Sequence, residues 1–155
     1  YIAGVPYVGA IVEMFPGPGG HRGEFIAWDP VAGKKKWGIK EKWSAWSGAL
    51  STAGDVVFYG TMDGWFKAVH AETGEELWKF KTGSGIIGAP MTYSGPDGTQ
   101  YVAVLSGIGG WSGLVVAADL GTDDPTAALG AVGAFGELGQ DTNKGGMLYV
   151  FALPS

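Results

Sequence analysis

Four places in the sequence carry residue types at spacings that could do chemistry. The first is Gly107-Ile108-Gly109-Gly110-Trp111-Ser112-Gly113, where four glycines surround one tryptophan. Glycine has no Cβ, so such a backbone can come close to a ligand, and the indole of Trp111 offers a flat apolar wall. The second is Trp46, in the run Trp46-Ser47-Gly48-Ala49-Leu50. For Trp46 and Trp111 alike, a ligand wall competes with plain packing between structural repeats. The third is Asp123-Asp124, a carboxylate pair that could hold a cation. The following Pro125 favours another role, with Asp124 as the cap of a helix and the proline at its first position. The fourth is His21-Arg22, which could bind an anion or could simply be a solvated loop pair. With no cysteine, the chain can build neither a disulfide nor a thiolate metal site.

The elements that must position these residues are strands. Gly54–Thr82 reads as three short strands joined by two tight turns. Val56–Thr61 is a continuous apolar run, as expected of a strand covered on both faces. Asp63-Gly64 marks a turn into the strand Trp65–His70, and Glu72-Thr73-Gly74 marks another into Glu76–Phe80. The pattern recurs. Ala27-Trp28-Asp29-Pro30-Val31-Ala32-Gly33-Lys34-Lys35-Lys36-Trp37 lies without gaps over Ala68 to Trp78, at an offset of 41 residues. Met147–Ala152 echoes the middle strand once more, Val150 lying twice that offset from Ala68. A repeat of about 40–50 residues with several strands in each is the mark of a β-propeller. The motif Ala-x-Asp-x-x-Thr-Gly-x-x-x-Trp is similar to the tryptophan-docking motif of quinoprotein propellers, with His70 standing where the earlier copy has Asp29. The spacing predicts that Trp37 and Trp78 are equivalent and both largely buried.

At 155 residues the chain holds fewer than four such repeats, and it begins without an initiator methionine. We therefore expect a C-terminal piece of a longer propeller, residues 1–155 forming the last blades of one domain. Charged residues make up 16% of the chain, alongside 29 Gly, 7 Trp, 6 Tyr and 7 Phe, which suits many turns around a packed β core. A net charge of −5 argues against nucleic acid as a partner, since no basic stripe exists to neutralise phosphates. No stretch reaches the roughly 18 apolar residues of a membrane span.

In chain order, Pro16-Gly17-Pro18-Gly19-Gly20 must be a loop. Glu24–Trp28 and Lys35–Ile39 are expected as two strands of an incomplete first blade. Trp46–Leu50 is expected as the innermost strand of the next, placing Trp46 on the central channel. Met91–Tyr93 and Gln100–Leu105 open a third blade. The period then breaks at an insertion of about residues 107–146, and Gly145–Leu153 closes the blade. Departures from a repeat on a rigid scaffold are where binding loops sit. Within the insertion, Leu129, Val132, Phe135 and Leu138 predict one short helix near Thr126–Leu138, weakened by three glycines.

The segments YVGAIVEMFPGPGGHRGEFIAWDP, WSGALSTAGDVVFYGTMDGWFKA, LWKFKTGSGIIGAPMTY, GIGGWSGL and DPTAALGAVGAF, taken together, cover most of the chain. On them the chain resembles the C-terminal quarter of the large subunit of methanol dehydrogenases that use pyrroloquinoline quinone (PQQ). HRGEFIAWDP is more similar to the lanthanide-dependent than to the calcium-dependent type. The resemblance implies an all-β, eight-bladed propeller with PQQ in its central channel, located in the periplasm. It implies a lanthanide or calcium ion polarising the quinone, a short primary alcohol such as methanol as substrate, soluble cytochrome c as electron acceptor, and a homodimeric full-length protein.

The resemblance carries no catalytic residue and no metal ligand onto this chain. The family's metal-binding side chains and catalytic aspartate belong to earlier blades. It carries three cofactor contacts, at Trp46, Gly110 and Trp111. Two other functions compete with it: a non-enzymatic propeller scaffold of the bacterial envelope, and a quinoprotein dehydrogenase for larger alcohols or sugars. A scaffold has no need of the Gly107–Gly113 run or of a tryptophan on the channel.

Overall fold

A computed structural model describes residues 8–153. They form three antiparallel sheets in succession. The first pairs β1 (Gly23–Asp29) with β2 (Lys34–Glu41). The second is a four-stranded meander of β3 (Ala49–Ser51), β4 (Val56–Gly60), β5 (Trp65–His70) and β6 (Glu76–Lys81). The third orders β7 (Met91–Ser94), β8 (Gln100–Gly107) and β9 (Gly146–Ala152). The insertion falls between β8 and β9 and holds α1 (Leu114–Ala117) and α2 (Ala131–Phe135), with 3-10 turns at Trp111–Gly113 and Leu138–Gln140.

The 41-residue repeat survives in atomic detail. Ala27 faces Trp37 across the first sheet and Ala68 faces Trp78 across the second, and in both the register slips at the very next residue. A bulge adds local twist, so the two copies bend alike. The turn that follows is also built twice. The Asp29 carboxylate accepts from the Val31 and Ala32 amides at 3.0 and 2.9 Å. In the second copy His70 Nδ1 accepts from the Glu72 amide at 3.2 Å. Imidazole thus replaces carboxylate as acceptor for the residue two places on, which is why the motif tolerates the exchange. Gly33 and Gly74 close these turns at φ 62 and 75, in the left-handed region that glycine enters without a Cβ clash.

Neighbouring sheets pack face to face. The Trp37 indole donates to the Ala71 carbonyl at 2.9 Å, and its ring lies so close to Gly74 that a Cβ there would sit 2.7 Å away. The tryptophan of one blade therefore docks on the turn of the next. Phe25 stacks on Tyr59 at 3.9 Å across the same interface. Between the second and third sheets, Phe66, Ile86 and Val104 are buried, with Phe58, Val102, Tyr149 and Phe151 around them.

Four expectations need correction. Trp78 is equivalent to Trp37 in register, yet it is 39% exposed. Phe66 and Phe151 meet its ring edge-on at 6.1 and 5.1 Å, but the matching turn would have to follow β9, which ends at Ala152. Trp37 itself is half-buried rather than enclosed. The inner strand of the second sheet is shorter than expected, Ala49–Ser51, so Trp46 lies in the loop that leads into it. The insertion holds two short helices, not one. Asp124 caps neither: its carboxylate accepts from the Thr126 amide at 2.9 Å and the Thr126 hydroxyl at 2.7 Å in a local turn. Gly130, left-handed at φ 81, then delays helix α2 until Ala131.

Candidate functional site

Trp46, in the loop before β3, and Trp111, in the 3-10 turn of the insertion, meet. Their ring centroids lie 5.7 Å apart with the planes tilted by 38°. Phe135 of α2 meets both edge-on, at 6.0 Å from each. Phe135 is 1% exposed whereas Trp46 is 44% exposed, so the group has a buried base and an open rim. Edge-to-face contacts of this kind fix ring planes as well as contributing burial.

Each member is held by its sequence neighbours. The Ser47 hydroxyl donates to the Gly88 carbonyl at 3.0 Å and accepts from the Gly60 amide at 3.2 Å. Gly48 packs against Ala89, where a Cβ would come within 2.7 Å of the alanine methyl. The Trp-Ser-Gly run is thus clamped between β4 and the segment before β7, and Trp46 has a fixed root. The insertion is tied down at both ends by Ser84, whose hydroxyl donates to the Asn143 carbonyl at 2.6 Å and accepts from the Ile108 amide at 3.0 Å. Trp111 starts a 3-10 turn, and its indole donates to the Ala128 carbonyl at 2.8 Å. Gly110 is exposed, at φ 60 and ψ −164, and among the described residues no heavy atom lies within 4 Å of a Cβ position at it or at Gly109. Open space therefore lies against the backbone beside the two indoles.

The three residues expected at a ligand thus form one surface. Phe135 and the Ala128 carbonyl complete it, and sequence reasoning misses both. A partly buried indole N–H needs an acceptor, but nothing in the sequence points to a carbonyl 17 residues away.

The other candidates resolve differently. His21-Arg22 is not a solvated pair: the Arg22 guanidinium lies 4.8 Å over the Trp43 ring, and both residues are half-buried. Trp43 is 1% exposed, and its indole donates to Asp141 at 2.8 Å. Lys42, at 2.6 Å from the same carboxylate, holds Asp141 below the ordinary aspartate range, and the Trp43 bond helps. Among the described residues no group of three or more histidine or acidic side chains could hold a metal ion.

A buried polar group between the first two sheets was not foreseen. Glu41 accepts from the Tyr59 hydroxyl and pairs with Lys67, both at 2.7 Å, and the two charged side chains are only about a tenth exposed. Burial, then the bond to Glu41, pushes the Tyr59 phenol far above its usual range.

These residues fit the flat part of a PQQ molecule. Trp46 and Trp111 supply aromatic walls, and the open backbone at Gly109-Gly110 leaves room for its edge. A metal ion would need ligands from outside the described residues.

Comparison with known proteins places the fold in a family. Residues 30–102 match the family model described as the glucose/ethanol/alcohol dehydrogenase β-propeller domain of PQQ proteins. The chain is 59% identical over its whole length to the lanthanide-dependent methanol dehydrogenase of Methylorubrum extorquens, of which it covers 26%. It is 50% identical over 99% of its length to subunit 1 of the methanol dehydrogenase [cytochrome c] of Methylobacterium organophilum, covering 25% of that protein. Its fold superposes on a europium-containing methanol dehydrogenase with a TM-score of 0.92, at 55% identity, over 99% of this chain and 27% of the other. The chain thus spans about a quarter of the length of these relatives. No helix among the described residues is long and apolar enough to cross a membrane. With the repeated docking turns and near-complete superposition, these matches establish that the chain belongs to the PQQ-dependent alcohol dehydrogenase family of β-propeller quinoproteins, as a partial propeller.

Proposed function

We propose that the chain is part of a methanol dehydrogenase that oxidises methanol and other short primary alcohols to aldehydes in the periplasm. The complete protein is an eight-bladed, homodimeric propeller that passes electrons to cytochrome c. The carrying observation is the pairing of Trp46 and Trp111 at 5.7 Å beside the open Gly109-Gly110 backbone. A propeller that serves only as a scaffold has no use for an open aromatic wall with a fixed tilt. The printed names of the relatives support methanol as substrate and cytochrome c as acceptor. The higher identity to the lanthanide-dependent relative supports a lanthanide over calcium.

When bound, PQQ with its metal ion would supply the two-electron acceptor for alcohol oxidation, in which the alcohol carbon gives up a hydride and the hydroxyl a proton to leave the aldehyde. This chain's residues bind and orient it. Trp46 and Trp111 cover apolar ring surface that water would otherwise solvate, and Phe135 keeps both from rotating. Gly110 leaves the backbone bare so that the cofactor can approach it. The family resemblance puts the metal ligands and the base in earlier blades, so proton removal is assigned to residues elsewhere in the full protein.

The test compares two preparations in dye-linked methanol oxidation with PQQ and lanthanide added. The full-length protein should be active and this 155-residue chain alone inactive. Methanol oxidation by the chain alone would contradict the assignment of roles, and an inactive, well-folded, PQQ-loaded full-length protein would remove the proposed reaction.

A further inference from the structure

Three consecutive residues of the insertion, Ala128, Leu129 and Gly130, have positive φ, at 51, 57 and 81. Glycine enters this region freely. Alanine and leucine do not, because Cβ crowds the backbone carbonyl. A turn needed only to reverse the chain would carry glycine at those positions, as at Gly33 and Gly74. Two L residues persist in such a conformation only where the surroundings over-determine it, and such strain gathers at ligand clamps.

The surroundings here are specific. The Gly130 amide donates to the Thr126 carbonyl and the Gly133 amide to the Pro125 carbonyl, both at 3.1 Å. Ala127 and Ala128 pack against the cluster that buries Val132, Phe135 and Leu138. Gly130 is wedged against Val12 and Met14, where a Cβ would meet side-chain atoms at 3.1 and 3.2 Å. This bracing aims one carbonyl, that of Ala128, at the Trp111 indole N–H 2.8 Å away. An indole without an anchor can turn about the bond to its ring. One whose N–H is bound to fixed backbone has a single plane, here tilted by 38° to Trp46.

We propose that the left-handed turn Ala128–Gly130 is a positioning element: through the Ala128 carbonyl it locks the plane of Trp111, so that Trp46 and Trp111 present a preformed wall to PQQ. This rests on the reading of the two indoles as the cofactor wall. The strained turn stores the orientation before PQQ arrives, so the cofactor does not have to order the ring on binding.

The experiment titrates PQQ into the full-length apoprotein of three variants, with melting temperature checked for each. Trp111→Ala removes the wall. Trp111→Phe keeps an aromatic ring but removes the N–H and orphans the carbonyl. Gly130→Ala touches neither indole but displaces the turn. A second readout is exchange of the Trp111 indole proton in 15N-labelled apoprotein, expected to be slow in the native protein and fast in Gly130→Ala. The proposal expects Trp111→Phe and Gly130→Ala each to weaken PQQ binding by roughly tenfold, Trp111→Phe with little change in melting temperature and Gly130→Ala with the drop that a Cβ at φ 81 imposes. If Trp111→Ala binds PQQ as the native protein does, the wall reading fails and this proposal with it. If Trp111→Ala binds weakly but Trp111→Phe binds like the native protein, the wall stands and the positioning role is overturned. Should Gly130→Ala not fold, Trp111→Phe decides alone.

Discussion

The blades and the insertion solve the same problem by opposite means. The first two blades repeat one plan: a bulge one residue beyond Ala27 or Ala68, an acceptor at Asp29 or His70, and a glycine at 33 or 74. The docking tryptophan then falls into place as a consequence of the plan. The insertion repeats nothing. Its helices are 4 and 5 residues long, too short to hold themselves in water. They exist because Val115, Val116, Ala131, Val132, Phe135 and Leu138 are buried together with Ile108 of the insertion against Trp43 and Met62 of the blades. A repeat builds a rigid frame, and a one-off packing unit on that frame can carry a wall of chosen shape.

The comparison breaks most visibly in the blades. Phe66 is 0% exposed and stands between the second and third sheets. In the full-length protein, Phe66→Ala should cost about 3–5 kcal/mol, read by denaturant titration. A loss near 1 kcal/mol, the usual size for an arbitrary substitution, would mean that the interface is not the frame. Next come the turn glycines. Gly74→Ala forces a Cβ into the left-handed region and against the Trp37 ring, for a loss of roughly 2–4 kcal/mol. Gly33 is also left-handed, at φ 62, and among the described residues no heavy atom lies within 4 Å of a Cβ position there. If the repeat continues upstream, a preceding blade's tryptophan sits on it, and Gly33→Ala in the full-length protein should cost as much as Gly74→Ala. Equal costs extend the docking plan. A Gly33 loss limited to the strain of about 1–2 kcal/mol ends it.

The insertion should answer differently. Phe135→Ala is expected to release amide protection across residues 108–145 while leaving the strands protected, because regions with one-off contacts open as separate units. Hydrogen exchange that loosens strands and insertion together would erase the distinction. The smallest effect is that of pH. Asp141 joins the insertion to Lys42 and Trp43 and is held below the ordinary aspartate value of 3.8. Its folded pKa is depressed, so its contribution is full above that ordinary value and fades as pH falls through the folded one. Exchange from the insertion should therefore accelerate at a lower pH in the native protein and become pH-independent over that range in Asp141→Asn. Identical acid profiles would remove Asp141 as the anchor.

Much of the frame is legible in the sequence, because its signals are local. The run Val56–Gly60, the turn at Asp63-Gly64 and the gap-free offset from Ala27 to Ala68 each report a neighbour's geometry directly. The site is legible only in its parts. Gly110 and Trp111 stand out by composition and by family resemblance, and Trp46 by its place in the run expected as an inner strand. Their meeting depends on α2, whose start depends on Gly130 rather than on the more obvious Asp124-Pro125 signal. Trp78 misleads for a related reason: a docking tryptophan is buried only by a neighbouring turn, and the repeat cannot say whether that turn is present. The Glu41–Lys67–Tyr59 group is invisible in the sequence because its members are 18 and 26 residues from Glu41, with no motif to link them.

The central claim is that Trp46 and Trp111, brought together from two blades, form one wall for PQQ. A double-mutant cycle on the full-length apoprotein tests it most directly: Trp46→Ala, Trp111→Ala and the pair together, each titrated with PQQ after its melting temperature is confirmed. Each single change should cost about 2 kcal/mol or more, roughly a thirtyfold loss of affinity. The double change should cost less than their sum, since rings 5.7 Å apart support each other. Native PQQ affinity in both well-folded single variants would contradict the claim and return the two indoles to packing between the blades and the insertion.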